Sequence, residues 1–216
     1  KAAVKPFRSK RVHIGMDEAW DLGRGAFLTK HGHVKPFDIM TKHLNKVMEI
    51  TRRLGLKPMI WSDMFFRALS KHHGYYDTSI EVSDKMRRQI PRDVDLVYWD
   101  YYNDKESDYT AMLGKHVEMG QTPIIAPAAW AWNRFWVCHE YSRRTITPCI
   151  KSCLRKGVKE MIITIWGDDG AECDFFSAFP LIQYASDYIF TGRENIEYTR
   201  KNTAALGINF DDWCMA

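Results

Sequence analysis

The chain has 216 residues, of which 45% are hydrophobic and 27% are charged, and its formal net charge is +4. A chain of this length and composition can bury the core of one ordinary domain. Because Lys and Arg are interspersed with Asp and Glu, and because no stretch is apolar and long enough to cross a bilayer, we expect neither nucleic acid nor a membrane as a partner.

Short apolar segments alternate with amphipathic helices along the chain. The first strand is predicted at 11–16, and a glycine-rich loop follows it. The next helix has apolar residues from Phe37 to Leu54 at spacings of three and four, and Gly55 ends it. Further strands are predicted at 57–61, 95–99, 122–126 and 160–166, with helices at 79–90, 109–119, 147–157, 177–188 and 194–206. In the helix at 147–157, Thr147 is the predicted N-cap and Pro148 the first helical residue.

This alternation predicts an α/β protein with a parallel sheet covered on both faces. Five strand–helix units without a nucleotide-binding glycine motif fit an open, doubly wound sheet or part of a (β/α)8 barrel. A complete barrel needs about 250 residues, so the chain is short for one. We treat residues 1–216 as part of a single domain, with no second domain.

Catalytic groups in such folds gather at the carboxyl ends of the strands, where this sequence repeatedly places a tryptophan and a polar group. Strand alternation puts the two members of each pair on one face of the sheet. The pairs are Trp61 with Asp63, Trp99 with Tyr101, and Trp166 with Asp168. Indoles offer flat apolar walls to a sugar ring, and carboxylates and phenols can hold its hydroxyls. Together the pairs favour a carbohydrate pocket, although each tryptophan alone could simply close the end of the sheet.

Asp17 and Glu18 end the first strand and are the most specific feature of the sequence. Adjacent carboxylates are costly to desolvate unless they are used or paired. Paired carboxylates of this kind carry out glycoside hydrolysis. A surface acidic pair at the start of a loop is the alternative.

The segment 13–19, His-Ile-Gly-Met-Asp-Glu-Ala, resembles the strand-four signature of the family 20 glycoside hydrolases, the β-N-acetylhexosaminidases. The segments 61–64 and 166–168 resemble the strand-five and strand-eight tips of that family. Residues 13–25 are most similar to its small intracellular bacterial branch and the hexosaminidase D relatives. The resemblance covers essentially the whole chain and implies a (β/α)8 TIM barrel of which this chain holds strands four to eight.

The resemblance also implies the chemistry, an exo-acting, retaining and substrate-assisted hydrolysis of terminal β-linked N-acetylhexosamines. Glu18 would be the general acid and then the general base, and Asp17 would orient the 2-acetamido group. That group's carbonyl oxygen would attack the anomeric carbon and form an oxazolinium intermediate. No cofactor or metal is implied, and the expected partner is an amino-sugar glycan.

The remaining expected substrate-binding residues come from the same comparison. Trp61, Trp99 and Trp166 would wall the N-acetyl group and the ring, and Asp168 would hold the outer hydroxyls. The family uses a strand-seven tyrosine on the acetamido oxygen, which this chain lacks. Tyr101 or Tyr102 is expected to replace it, with alternation favouring Tyr101. Trp132 is expected to face the pocket.

Strands one to three of the family's barrel have no counterpart here, so we expect them elsewhere in the same protein. Without them an exposed strand edge favours association, including homo-oligomers, and the activity of the isolated chain stays open. The five cysteines have no framework spacing, which predicts reduced thiols and a cytoplasmic protein. The chain starts without methionine, so an upstream signal also stays open. Alternative functions are a non-catalytic carbohydrate-binding fragment and a metal-dependent hydrolase, the latter disfavoured by the lack of a His-x-His motif.

Overall fold

The fold is a mixed α/β arrangement in which helices flank a sheet of four parallel strands. It is seen in a computed structural model that describes residues 4–215, apart from the side chain of Asp169. The strands follow one another in the sheet in chain order, from β1 to β4. Contacts divide the chain into two compact units. The first contains the residues up to Trp99 together with Ala111–Ile124, and the second contains Asp100–Thr110 and the residues from Ile125 onward.

The first unit is built around three neighbouring strands. Its elements are β1 (Arg11–His13), α1 (Gly25–His31), α2 (Pro36–Arg53), β2 (Lys57–Trp61), α3 (Asp63–Arg67), α4 (Asp84–Gln89), β3 (Asp95–Trp99) and the later part of α5 (Glu106–Met119). Arg11 of β1 pairs with Lys57 of β2, and Met59 of β2 pairs with Asp95 of β3. This register brings the carboxyl ends of the three strands to one edge.

Helix α2 confirms the periodicity seen in the sequence. It begins at Pro36, whose fixed φ suits the first helical position, and it ends at Arg53. Its buried residues include Phe37, Met40 and Leu44, spaced as predicted. Helix α4 is shorter than predicted because the side chain of Ser83 accepts the amide hydrogen of Met86 and caps the helix there.

The second unit contains most of the remaining helices. Its elements are the start of α5, most of β4 (Ile124–Ala126), α6 (His139–Lys156), two 3-10 turns (Asp168–Gly170 and Phe175–Ala178), α7 (Phe179–Thr191), α8 (Ile196–Ala205) and α9 (Phe210–Met215). The core of this unit lies between α6 and α7, where Ile146, Ile150 and Leu181 are buried together.

The predicted fifth strand at 160–166 pairs with the segment that begins at β4, but only through two isolated parallel bridges, Ile125 with Met161 and Ala128 with Thr164. Pro127 lies between them. It has no N–H to donate, so the ladder is interrupted there, although its carbonyl accepts the amide of Thr164 at 2.9 Å. The prediction of a continuous strand was therefore wrong, although the segment does pair in parallel where the strand was predicted.

Helix α6 begins at His139, nine residues before Pro148, its predicted first residue. The Thr147–Pro148 pair has the signature of a helix N-terminus, yet it lies inside the helix. The first turn is instead fixed by Ser142, whose hydroxyl donates to the carbonyl of Cys138 and accepts the amide hydrogen of Trp130. The predicted end at Gly157 is confirmed, with this residue in the left-handed region at φ 68°. Across the described part of the chain, no helix has both the length and the apolarity to cross a membrane.

Candidate active site

The segment that follows β1 is a strained turn and not a continuation of the strand. We call residues 14–18 the carboxylate turn. Gly15, Met16 and Glu18 all have positive φ, of 70°, 72° and 46°. Glycine adopts this region freely, whereas Met and Glu are disfavoured there. Strain of this kind persists only where surrounding contacts enforce it, and it is concentrated at functional sites.

Two backbone hydrogen bonds to β2 and one side chain hold the carboxylate turn. The amide of Ile14 donates to the carbonyl of Met59 at 2.8 Å, and the amide of Trp61 donates to the carbonyl of Gly15 at 3.3 Å. Nδ1 of His13 accepts the amide hydrogen of Gly15 at 3.1 Å. The turn is thus anchored to the carboxyl end of β2.

Asp63, the first residue of α3, fixes the end of the turn. Its Oδ2 accepts the amide hydrogen of Glu18 at 3.0 Å, and the side chain is fully buried. Burial raises the pKa of the Asp63 carboxyl to about 6, and the charge of Asp17 adds to this, whereas the donors of Glu18 and Trp99 oppose it. A buried carboxyl therefore orients the backbone of the proposed acid.

The side chains of Asp17 and Glu18 are solvent-exposed, so their accessibility fits either a site open to substrate or an acidic surface pair. They do have polar neighbours, since the charge of Asp17 affects His13, Asp63 and Tyr75. Burial lowers the pKa of His13, and Asp17 opposes that shift. Because Nδ1 of His13 is an acceptor, Nε2 carries the hydrogen; it is buried and has no hydrogen-bond partner within residues 4–215.

Two of the expected sugar-binding tryptophans lie in this unit. The ring of Trp61 is 4.3 Å from that of His13, and the ring of Trp99 is 5.5 Å from that of Tyr75. Both indoles are half-buried. Trp61, Trp99 and the carboxylate turn are thus connected through His13, Asp63 and Tyr75.

A buried polar layer links the neighbouring strands. Ser62 contacts Nε2 of His116 at 2.9 Å, and the hydroxyl of Tyr76 accepts the amide hydrogen of Trp99 at 3.2 Å. Burial lowers the pKa of His116 to about 4, so the imidazole is neutral. Although Ser62 and His116 form a serine–histidine contact, both are fully buried. We therefore assign them to support of the strand ends and not to nucleophilic catalysis.

The remaining expected aromatic residues lie in the second unit and contact one another. We call Tyr101, Trp130, Trp132 and Trp166 the Trp166 cluster. Nε1 of Trp166 donates to the hydroxyl of Tyr101 at 2.8 Å. The rings of Trp130 and Trp132 stack at 4.0 Å, and that of Trp132 lies 5.5 Å from Tyr101. Tyr101 is buried while Tyr102 is exposed.

The two acids of this unit differ in role. Asp100 is buried and binds the loop after β3, accepting the amide hydrogens of Tyr102 and Asn103 at 3.1 Å each. It is therefore a structural carboxylate. Asp168 begins a 3-10 turn and is exposed, an environment in which its carboxylate can bind a ligand hydroxyl.

Sequence reasoning missed several residues beside the carboxylate turn. Asp63 was seen only as a strand-end acid, and its bond to the Glu18 amide had no signal in the pattern. Trp20, Arg67 and Tyr75 come together because the guanidinium of Arg67 lies over both rings, 5.5 Å from Trp20 and 4.9 Å from Tyr75. Trp20 is 47 positions from Arg67 and 55 positions from Tyr75 in the sequence. Contacts over such separations cannot be predicted from local spacing.

The five cysteines have free thiols, and Cys149, Cys153 and Cys173 are buried. Searched over the same described residues, His, Cys, Asp and Glu form no group of three or more that could hold a metal ion. In comparisons with known proteins, the chain matches no protein-family model and no curated protein.

Proposed function

We propose that the protein is an exo-acting β-N-acetylhexosaminidase that uses substrate-assisted catalysis, and that the α/β fold described above is part of a (β/α)8 barrel. The observation that carries this proposal is the carboxylate turn. Two adjacent carboxylates follow a strand on a strained backbone, and the amide of Glu18 is held by the buried Asp63. A surface acidic pair would need neither the strain nor the buried support.

The arrangement suits a reaction in which the protein supplies no nucleophile. Side chains of neighbouring residues diverge, so Asp17 and Glu18 are poorly placed to act on opposite faces of one sugar ring, as a protein nucleophile and an acid must. If the substrate's own acetamido oxygen attacks the anomeric carbon, the two carboxylates can remain on one side. Glu18 then protonates the leaving oxygen and later activates water, while Asp17 orients the acetamido N–H.

Charges around Asp17 support its assigned role. It has one half-buried imidazole, one buried carboxyl and one phenol within electrostatic reach, and burial lowers the pKa of the imidazole, which favours its neutral form. None of these three groups is itself a side-chain cation that offsets the charge of Asp17. A carboxylate in that position favours the positive charge that develops on the acetamido group as the oxazolinium forms.

The direct test uses Glu18→Gln in the full-length protein. Release of 4-nitrophenol from 4-nitrophenyl N-acetyl-β-glucosaminide should fall by roughly 10²–10⁴-fold, the usual contribution of general acid–base catalysis. Glu172→Gln is the matched control, since Glu172 is an exposed loop acid, and it should retain activity. Unchanged turnover in Glu18→Gln would reject the assigned acid.

A second measurement tests the substrate's participation. A thiazoline analogue of the cyclised intermediate should inhibit the wild-type protein far more strongly than N-acetylglucosamine does. Inhibition no stronger than that of the sugar would argue against the oxazolinium route. Sugar binding without turnover in the full-length protein would instead identify a carbohydrate-binding protein.

A further inference from the structure

The segment between β4 and α6 carries Trp130 and Trp132 of the Trp166 cluster. We call residues 127–138 the Trp132 loop. All of them lie within the described chain, and apart from the bridge of Ala128 with Thr164 none belongs to a helix or a strand. Because no ladder of backbone hydrogen bonds fixes the Trp132 loop, its shape depends on its contacts with other segments.

The base of the Trp132 loop is closed at the start of α6. The amide of Trp130 donates to the hydroxyl of Ser142 at 2.9 Å, and the amide of Cys138 donates to the carbonyl of Trp130 at 3.0 Å. Residues 133–135, at the tip of the loop, are exposed. Their side chains therefore contribute little packing that could fix the position of the tip.

Trp136 joins the Trp132 loop to α9. Its Nε1 donates to the backbone carbonyl of Trp213 at 2.8 Å, and the two rings lie 5.4 Å apart at an interplanar angle of 63°. Both indoles are half-buried. Trp213 lies in the last turn of α9, where carbonyls have no partner within the helix. The bond thus satisfies both the indole donor and a helix-end carbonyl.

Helix α9 is itself anchored within the second unit. Phe210 is buried in the core between α6 and α7. The guanidinium of Arg200 in α8 donates twice to the carboxylate of Asp211, at 2.9 and 3.0 Å. A two-pronged pair of this kind fixes orientation as well as distance. The carbonyl of Trp213 therefore lies on a helix that is held at two points, and it offers Trp136 a fixed attachment.

We propose that Trp136 is a positioning residue for the Trp166 cluster, because its bond to α9 fixes the Trp132 loop and with it the indole of Trp132. The kinetic consequence rests on the proposed function, in which Trp132 binds the sugar. The ring of Trp132 lies 4.0 Å from that of Trp130 and 5.5 Å from that of Tyr101. Both distances depend on the path of the backbone between Trp130 and Trp136, which lies four residues after Trp132.

Two matched substitutions test the positioning role, because each removes one indole from the Trp136–Trp213 pair. Trp136→Phe removes the hydrogen-bond donor, whereas Trp213→Phe retains the acceptor, which is a backbone carbonyl. The substrate is 4-nitrophenyl N-acetyl-β-glucosaminide, with the full-length protein. In Trp136→Phe, KM should rise roughly 2- to 10-fold, the effect of one neutral hydrogen bond, and kcat should not change. Trp213→Phe should keep the wild-type KM. The same KM in all three proteins, or an effect confined to kcat, would overturn the positioning role.

Fluorine NMR tests the position of Trp132 independently of activity. The full-length protein is labelled with 5-fluorotryptophan, and the signal of Trp132 is the one that is missing from Trp132→Phe. In Trp136→Phe this signal should shift or broaden, because the indole is no longer held in one position. In Trp213→Phe it should stay at its wild-type frequency. A Trp132 signal that Trp136→Phe leaves unchanged would overturn the inference.

Thermal unfolding separates positioning from a purely structural role. A structural role would lower the Tm of Trp136→Phe while the KM and the Trp132 signal stay at their wild-type values, and that result would overturn the inference. If the wild-type protein has no turnover, the proposed function fails. The NMR comparison then decides by itself whether Trp136 positions Trp132.

Discussion

The carboxylate turn and the Trp166 cluster differ in their chemistry and in the function that we expect of each. The carboxylate turn has strained φ angles at Gly15, Met16 and Glu18 and two exposed acids, Asp17 and Glu18. The Trp166 cluster consists of rings that stack on one another, with one indole bonded to a phenol at 2.8 Å. A strained backbone that carries exposed acids favours a reacting partner, whereas packed rings favour a fixed binding surface. We therefore expect kcat to depend on the first region and KM on the second.

The substitution with the largest expected effect on kcat tests this difference between the two regions most directly. Asp17→Asn removes a charge and retains the shape of the side chain, so kcat should fall roughly 10²–10³-fold because charge stabilisation in the transition state is lost. Asp168→Asn, its counterpart near the Trp166 cluster, should mainly raise KM. Steady-state kinetics on 4-nitrophenyl N-acetyl-β-glucosaminide measures both. Equal effects of the two variants on kcat would remove the distinction between the regions.

A second prediction concerns the buried support of the turn. Asp63→Ala removes the carboxylate acceptor of the part-buried Glu18 amide, which should cost about 1–3 kcal/mol of folding stability and lower kcat. Asp63→Asn retains an acceptor oxygen and should restore most of both. Denaturant unfolding and kinetics on the two variants, in parallel with wild type, decide this. If Asp63→Ala and Asp63→Asn have the same unfolding free energy and the same kcat, the hydrogen bond to the Glu18 amide does not contribute to either quantity.

The pH dependence of the unfolding free energy tests whether the Asp63 carboxyl is buried. Its pKa is raised to about 6, so the native state holds a proton that the unfolded chain has lost above its ordinary pKa near 4. Relative to the neutral side chain of Asp63→Asn, the stability of wild type is therefore highest below pH 4, and this stability is lost as pH rises through 6. The unfolding free energy of wild type should therefore decline relative to Asp63→Asn, by on the order of 2–3 kcal/mol.

His116 acts in the opposite direction over the same pH range. Its pKa is lowered to about 4, so its contribution to stability is present above pH 6.5 and is lost as pH falls through 4. The two effects offset one another in wild type, which is why the comparison with Asp63→Asn is needed. Parallel pH profiles for these two proteins would show that the Asp63 carboxyl is not buried as described.

The smallest expected effect lies in the Trp166 cluster. Tyr101→Phe removes the acceptor at 2.8 Å from Nε1 of Trp166, and one neutral hydrogen bond contributes about 0.5–1.5 kcal/mol. We expect KM to rise a few-fold and kcat to change little. A change confined to kcat would instead place Tyr101 in the chemical step.

The sequence predicted the elements whose signals are local. The spacing of Phe37, Met40 and Leu44 gave α2, and the apolar runs gave β2 and β3 nearly residue for residue. The sequence-based prediction was wrong at the start of α6, where contacts between distant residues differ from what the local pattern indicates. The Thr147–Pro148 pair looks like a helix start, but α6 begins at His139, and Ser142 in its first turn accepts the amide hydrogen of Trp130.

The candidate site shows the same division. Asp17 and Glu18 could be selected because two acids follow an apolar strand, and Trp61 and Trp99 because each ends one. Tyr75 could not, since its ring contacts Trp20 and Trp99, which are far away in sequence. Burial and hydrogen-bond satisfaction are properties of packing, and only the three-dimensional arrangement gives them.

The left-handed conformation of Met16 has a consequence for engineering the protein. Glycine at this position would relieve about 1–2 kcal/mol of backbone strain, so a screen for heat resistance alone would favour Met16→Gly. The same replacement would loosen the segment on which Asp17 and Glu18 are mounted, and turnover would decline as the melting point rose. Directed evolution of this protein should therefore select for the proposed activity at every round, with this codon kept fixed.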